Sequence, residues 1–413
     1  MKKQIVTALL LGTMTLALAG CGRKASYQPL DDTDDSVYSI AILSNGKNKL
    51  LEQGFTDALN DTFGEAHITL SKSTIVDSNE SKSVQKLLSD GTQLLFTEDS
   101  KGLTAARSTT DETPIVSCGI INYPSELGSP YDDEDERTTG INVTGISALP
   151  PVSNQLSVMI EADPDMAAVG ILYSPEDADS VYQNRLLENY LNQAGIQWRE
   201  YILPTEAFKD IRQNEGSAKM RSIRASDDIN PLVPQVSSNW NGGKEKSLLS
   251  HAKLSRKVTK ENRSLAMASD TRIIRKACKQ CSTLYIASES RLNSKIATIT
   301  SLARKNKVAT FGGDAISGAH TLTTLYQDPY DSGYRAGEMA YRILVNKDDP
   351  ADMSIGLPDA SVFTKLYNAS MATALHRKFP KSFTEYRTYL SSYEAGSLTT
   401  RVGKAMEEEE EEK

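Results

Sequence analysis

The chain carries few residues that could do catalytic chemistry. Its four histidines, His67, His251, His320 and His376, are scattered, and none forms an HExxH pair or a metal-spaced cluster. There is no GxSxG nucleophile elbow and no phosphate-binding P-loop, and Gly312-Gly313 reads as a turn, not a dinucleotide fingerprint. Cys278-Lys279-Gln280-Cys281 is a CxxC with no second CxxC or His pair beside it, so it reads as a structural pair near a helix end, not a zinc or redox centre. The N-x-S/T patterns at Asn60, Asn142, Asn262 and Asn368 are too short to carry weight. These residues point to a non-enzymatic protein without metal or cofactor.

The N-terminus says where it works. Lys2 and Lys3 precede an apolar stretch from Ile5 to Ala19, too short to span a bilayer comfortably and typical of an export signal. It ends in Leu18-Ala19-Gly20-Cys21, a lipobox pattern in which the Cys21 thiol takes the lipid. Residues 1–21 are therefore expected to be a lipoprotein signal and 22–37 a polar tether, which places the protein on the extracytoplasmic side of the cell membrane. Cys118, Cys278 and Cys281 alone remain after Cys21, which is no disulfide framework. A net charge of −8 over 413 residues argues against a nucleic-acid partner.

The body alternates short apolar runs with helical patterns. Tyr38 to Leu43, His67 to Leu70, Gln93 to Phe96 and Pro114 to Ser117 read as strands, with helices through Leu50 to Leu59 and Val84 to Leu88 between them. Strand, helix, strand at this spacing implies parallel pairing, because parallel neighbours need a long connection. A second series has a helix from Gln155 to Ile160, a strand from Ala167 to Tyr173, a helix from Asp177 to Ala194 ended by Gly195, and a strand from Gln197 to Leu203. It resumes at Thr283 to Ala287, a helix from Asn293 to Arg304, and Val308 to Phe311. Between the two parts of that series, residues 216–269 are polar and basic without a period, and are expected to be a disordered insertion. A helix from Tyr330 to Val345, a strand from Ala360 to Leu366 and a helix from Ala369 to His376 follow, and residues 383–413 form a polar, acidic tail.

From Tyr38 to about Leu375, outside the insertion, this order resembles the family of ABC transporter substrate-binding lipoproteins of the tryptophan- and tyrosine-binding type. The segments that carry the resemblance are Asn142 to Ser147, Gln155-Leu156, Gly170 to Ser174, Asp177 to Val181 and Gly333 to Leu344. It implies an α/β fold of two doubly wound parallel-sheet lobes joined by a hinge, of the type I periplasmic-binding-protein kind, closing on a ligand between them. Lobe 1 would span 38–147 with a return segment at about 318–347, lobe 2 would span 148–317, and 348–382 would hold the hinge return and closing helix. The partners implied are a small-molecule ligand, an ABC permease and its ATPase, and the membrane through the lipid anchor. An aromatic amino acid or related amine is the leading ligand. The alternative is a ligand-sensing surface lipoprotein serving a membrane signalling partner. A repressor with this core would need a helix-turn-helix where the export signal stands.

Open parallel sheets bind ligands beyond the carboxyl ends of their strands. The candidate ligand-binding residues are therefore Ser44, Asn45, Glu98, Asp99, Ser100 and Gly119 in the first lobe, and Ser174, Asp177, Asp179, Ser180, Glu289 and Asp314 in the second. Ser100 and Ser180 stand where helices begin and either cap them or face ligand oxygens. Asp314 and Asp179 are the candidates to receive an ammonium group. The family commonly has Gly, Thr or Pro where this chain has Glu98 and Asp99, and Asn where it has Asp179, and the added acid would disfavour a bare carboxylate. If the lipobox is used, Cys21→Ser should leave an unlipidated protein that no longer partitions into detergent with membrane lipids. Unchanged partitioning would remove the anchor.

Overall fold

The computed structural model describes residues 30, 35–46, 48–75, 80–128, 138–203, 270–356 and 363–389. The export signal, Cys21 and the 216–269 insertion lie outside them, as does most of the 22–37 tether and of the acidic tail. The chain divides into two compact units, one of Met1–Pro151 with Gln327–Phe363 and one of Val152–Tyr326 with Thr364–Lys413. The chain first crosses from unit 1 into unit 2 after Pro151. The return segment expected from about 318 begins instead at Gln327, because residues 323–326 belong to a strand of unit 2, and 348–363 stays with unit 1.

Unit 1 alternates β1 (Tyr38–Ser44), α1 (Lys49–Phe63), β2 (Ile68–Thr74), α2 (Glu80–Ser89), β3 (Leu94–Thr97), α3 (Ser100–Arg107), β4 (Ile115–Ile120), α4 (Tyr123–Leu127) and β5 (Val143–Ser147). The sheet order is β2-β1-β3-β4-β5, and every pair is parallel. Successive side chains of β1 go to opposite faces. Ile40 and Ile42 pack with Phe55, Leu59 and Phe63 of α1, while Ala41 and Leu43 pack with Val84, Leu87 and Leu103 of the helices on the other face. Both faces are covered, which is why the strand reads as an unbroken apolar run.

Unit 2 begins with α5 (Val152–Ala162), β6 (Ala168–Tyr173), α6 (Ala178–Ala194) and β7 (Gln197–Ile202). It continues through α7 (Asp270–Gln280), β8 (Thr283–Ile286), α8 (Ser290–Lys305), β9 (Ala309–Gly312), α9 (Ala315–Gly318) and β10 (Thr323–Gln327). After α10 (Pro329–Leu344), which packs in unit 1, come β11 (Phe363–Tyr367), α11 (Ala369–Ala374) and β12 (Phe383–Glu385). The sheet order is β7-β6-β8-β9-β10-β11-β12. The expected C-cap, Gly195, ends α6 in the left-handed conformation at φ 68°, and its N–H bonds Asn192 O and Leu191 O. The Cys278–Cys281 pair sits at the end of α7, both thiols free and buried, with Cys278 pushed up to about 11 by burial and by its neighbour Cys281. Such thiols are inert. Among the described residues no group of three or more His, Cys, Asp or Glu could hold a metal, and no helix is long and apolar enough to cross a membrane.

In unit 1, α1 and α10 pack in close backbone contact. A Cβ on Gly54 would lie 2.0 Å from Tyr330 O, and one on Gly333 would lie 1.9 Å from Leu51 O, so the two backbones touch where both helices carry glycine. Beside that seam the Tyr330 and Tyr334 hydroxyls each donate to a carboxylate of α1, Asp57 and Asp61, at 2.8 Å. Gly333→Ala must push the helices apart and is expected to cost about 2–3 kcal/mol. Arg335→Ala, half-buried on the same helix, should stay within about 0.5 kcal/mol. Urea unfolding of the two variants against the parent checks the difference.

Candidate functional site

In unit 1 the strand order reverses between β1 and β3, and the residues just past their carboxyl ends are Ser44, Asn45, Glu98 and Asp99. They are bonded to one another. The Ser44 hydroxyl donates to Glu98 Oε2 at 3.0 Å, and the Asn45 N–H reaches the same oxygen at 3.3 Å. Asn48 Nδ2 donates to the Glu98 carbonyl at 3.1 Å, and Asn45 Nδ2 to Asp99 Oδ2 at 2.6 Å. Asp99 is also the N-cap of α3, its Oδ1 accepting from Gly102 N at 2.8 Å, so Ser100 is the first helical residue and not the cap.

Glu98 is fully buried. Burial pushes its carboxyl up to about 7; the bonds from Ser44 and Asn45 oppose the rise, and the Glu52 carboxylate adds to it. Its Oε1 accepts no hydrogen bond. Gly119 lies against this turn with φ 72°, and a Cβ there would fall 2.2 Å from the Glu98 carbonyl. Glycine is required on both counts.

Unit 2 has the same arrangement where β6 and β8 part. Ser174 Oγ lies 2.6 Å from Glu289 Oε1, and the Ser174 N–H donates to Oε2 at 3.0 Å. Here both carboxylate oxygens are engaged, and the Arg291 guanidinium adds a bond to Ser174 Oγ at 3.3 Å while pairing with Asp270. Burial raises the Glu289 carboxyl, and the Ser174 and Ser180 bonds oppose that rise. Asp177 caps α6 through Ser180 N at 2.7 Å, and the fully buried Ser180 hydroxyl donates to the Ser174 carbonyl at 3.0 Å. Asp179 is half-buried in the first turn of α6.

Asp314 forms a capping box with Ser317 at the start of α9, and its second oxygen accepts from Asn293 Nδ2 at 2.9 Å. Both of its oxygens are therefore engaged within the fold, which weakens its candidacy as an ammonium receiver. Sequence reasoning passed over Gln183, Arg291 and Asn293. Gln183 Oε1 accepts from Ser288 N at 3.1 Å and lies 3.1 Å from where a Cβ on Gly313 would stand, so it reaches the ends of β8 and β9. All three stand in the first two turns of helices that follow strands, which was the signal available.

Residues 36–225 match the family model described as ABC transporter substrate binding protein. No curated protein sequence matches the chain. Among solved structures, the chain is similar to a ligand-free, open substrate-binding protein with adhesive properties from Clostridium difficile, at 17% identity and TM-score 0.60, covering 84% of this chain and 99% of that one. It is also similar to an ABC domain in complex with L-Trp from Streptococcus pneumoniae, at 16% identity and TM-score 0.52, covering 84% and 97%. A conserved domain protein from Vibrio cholerae gives 15% identity and TM-score 0.51, covering 85% and 99%. At these identities the likeness is one of fold, and the fold is the type I periplasmic-binding-protein kind expected from the sequence.

The Ser174–Glu289 pair ties two strand ends of unit 2 together. Ser174→Ala removes the hydroxyl from a buried carboxylate and is expected to cost about 1–3 kcal/mol. A change of less than about 0.5 kcal/mol in chemical unfolding would show that the pair holds nothing together.

Proposed function

We propose that the protein is the extracytoplasmic solute-binding component of an ABC importer, anchored by lipid on Cys21. It would capture a small polar ligand at the carboxyl ends of its strands and deliver it to a permease and its ATPase. The match of residues 36–225 to the substrate-binding family carries this reading. The likeness in fold to a protein solved with L-Trp supports an aromatic amino acid or a related amine as the first ligand to try.

The polar residues past β1, β3, β6 and β8 are the proposed contacts: Ser44, Asn45 and Asp99 in unit 1, where the buried Glu98 holds Ser44 and Asn45 in place, and Ser174, Asp177, Asp179 and Glu289 in unit 2. Of the two aspartates first assigned to an ammonium group, Asp314 has both oxygens bonded within the fold, and Asp179 stands in the first turn of α6, just past the carboxyl end of β6.

A thermal-shift screen of amino acids, amines, nucleosides and sugars tests the reading. At roughly a hundred times its dissociation constant a ligand should stabilise the fold by about 2.7 kcal/mol, enough to see in a melt. Asp179→Asn should weaken an amine hit without lowering the melting temperature of the ligand-free protein. A hit confined to neutral sugars would remove the ammonium assignment, and no hit in any class would remove the solute-binding role.

A further inference from the structure

The buried carboxyl of Glu98 faces in two directions, and only one is satisfied by neutral donors. Its Oε2 and its carbonyl hold the turn between β1 and α1 through Ser44 Oγ, Asn45 N and Asn48 Nδ2, at 3.0, 3.3 and 3.1 Å. Its Oε1 is buried and accepts nothing. The side chain of Glu52 of α1 is close enough to the Glu98 carboxyl to act on it both as a charge and as a hydrogen-bonding group. Glu52 is in turn gripped by Lys72 of β2, whose Nζ reaches Oε1 at 2.6 Å and Oε2 at 2.5 Å. The row therefore runs from a surface cation, through one carboxylate, to a second carboxyl buried under the turn.

Two carboxyl groups in contact cannot both stay ionised in a buried place with one cation on the far side. A proton on Glu98 Oε1 resolves the arrangement: the oxygen that accepts nothing becomes a donor to Glu52, and Lys72 balances the single remaining charge. We propose that Glu98 is a positioning residue, and that the proton it donates to Glu52 keeps the β1–α1 turn seated with Ser44 and Asn45 at the strand end. The assignment of that turn to ligand contact rests on the proposed solute-binding role; the proton does not.

The other groups facing Glu98 do not remove the need for the proton. Cys118 of β4 carries a buried thiol pushed up to about 12, by burial first and by Glu98 in part, so it stays neutral. Asp99, next in the chain, has its oxygens on Gly102 N and Asn45 Nδ2. Lys72 is the cation of the row and is already committed to Glu52. Loss of the proton to solvent base leaves two facing carboxylates, and the turn or the first turn of α1 must give way to separate them.

The sign follows. A carboxyl whose folded value is raised to about 7 binds its proton more tightly in the folded state than in the unfolded one. The stability it contributes is complete below the ordinary carboxylate range and is lost as the pH climbs through about 7.

The test is amide hydrogen exchange on the ligand-free full chain between pH 5.5 and 8.5, corrected for the intrinsic rate. Peptides are followed across the β1–α1 turn and, as reference, across α8. Wild-type turn protection should fall with rising pH, by up to about tenfold per unit above the transition, while α8 stays level. Glu98→Gln keeps an acceptor for Ser44 and gains an N–H for Glu52, so its turn should stay protected at every pH. Glu52→Gln removes the facing charge and should shrink the loss, which keeps the test decisive if Glu98→Gln does not fold. A buried water donating to Oε1 in place of the proton would leave Glu98 ionised. Wild-type protection would then be level with pH, or the loss would survive in the variants, and either result overturns the proposal. No ligand enters the measurement, so a failed ligand screen and a failed proton assignment are told apart.

Discussion

Parallel strands cannot be joined by a tight turn, and most of what this protein offers a ligand follows from that constraint. Each strand must be followed by a helix that carries the chain back along the sheet. Every strand then ends on the same edge, and every strand-to-helix turn gathers there. Turns need polar residues to satisfy free backbone groups, and helix starts need acceptors for their first N–H groups. Asp99, Asp177 and Asp314 meet the second need at α3, α6 and α9. Polarity at the binding edge is therefore first a requirement of folding, and recognition has to be built from what that requirement leaves over.

Where the strand order reverses, no strand-following helix fills the gap, and there each unit places a buried glutamate. Glu98 and Glu289 come from the turn after one strand and bind the serine at the end of its neighbour. A buried carboxylate is costly unless it is well bonded. Unit 2 meets the cost with both oxygens engaged and Arg291 close by, whereas unit 1 leaves one buried oxygen of Glu98 without a hydrogen bond. The same device is complete in one unit and one bond short in the other.

Much of this fold was legible in the sequence. Strands buried on both faces, such as β1 and β6, give continuous apolar runs that stand out, and α6 announced both its Asp177 start and its Gly195 end. β10 did not stand out. Thr323-Thr324-Leu325-Tyr326-Gln327 has threonines at strand positions whose hydroxyls bond backbone carbonyls, Thr323 to Leu366 and Thr324 to Gly312, so its burial is not written in apolar residues. That strand moved the boundary between the units from 318 to 327. α7 was seen only as a CxxC near a helix end, since most of its residues are polar and its four inward ones, Ile273, Ile274, Ala277 and Cys278, make a narrow stripe.

The candidate site was legible by position and not by role. The carboxyl-end rule names the turns, and the named residues do stand in them. What it could not supply is direction, because an aspartate at a helix start looks the same in sequence whether it faces a ligand or its own backbone. Asp99 and Asp177 face their own helices, and Asp314 both caps α9 and accepts from Asn293. Glu98 was named beside Asp99 as a ligand contact, yet it is buried and feels the carboxylate of Glu52, which arrives from a helix 46 residues earlier in the chain. What the fold takes from these aspartates is direction and not charge: each commits an oxygen to the start of its own helix, and of the acids named only Glu98, by holding a proton, takes a charge away from its turn.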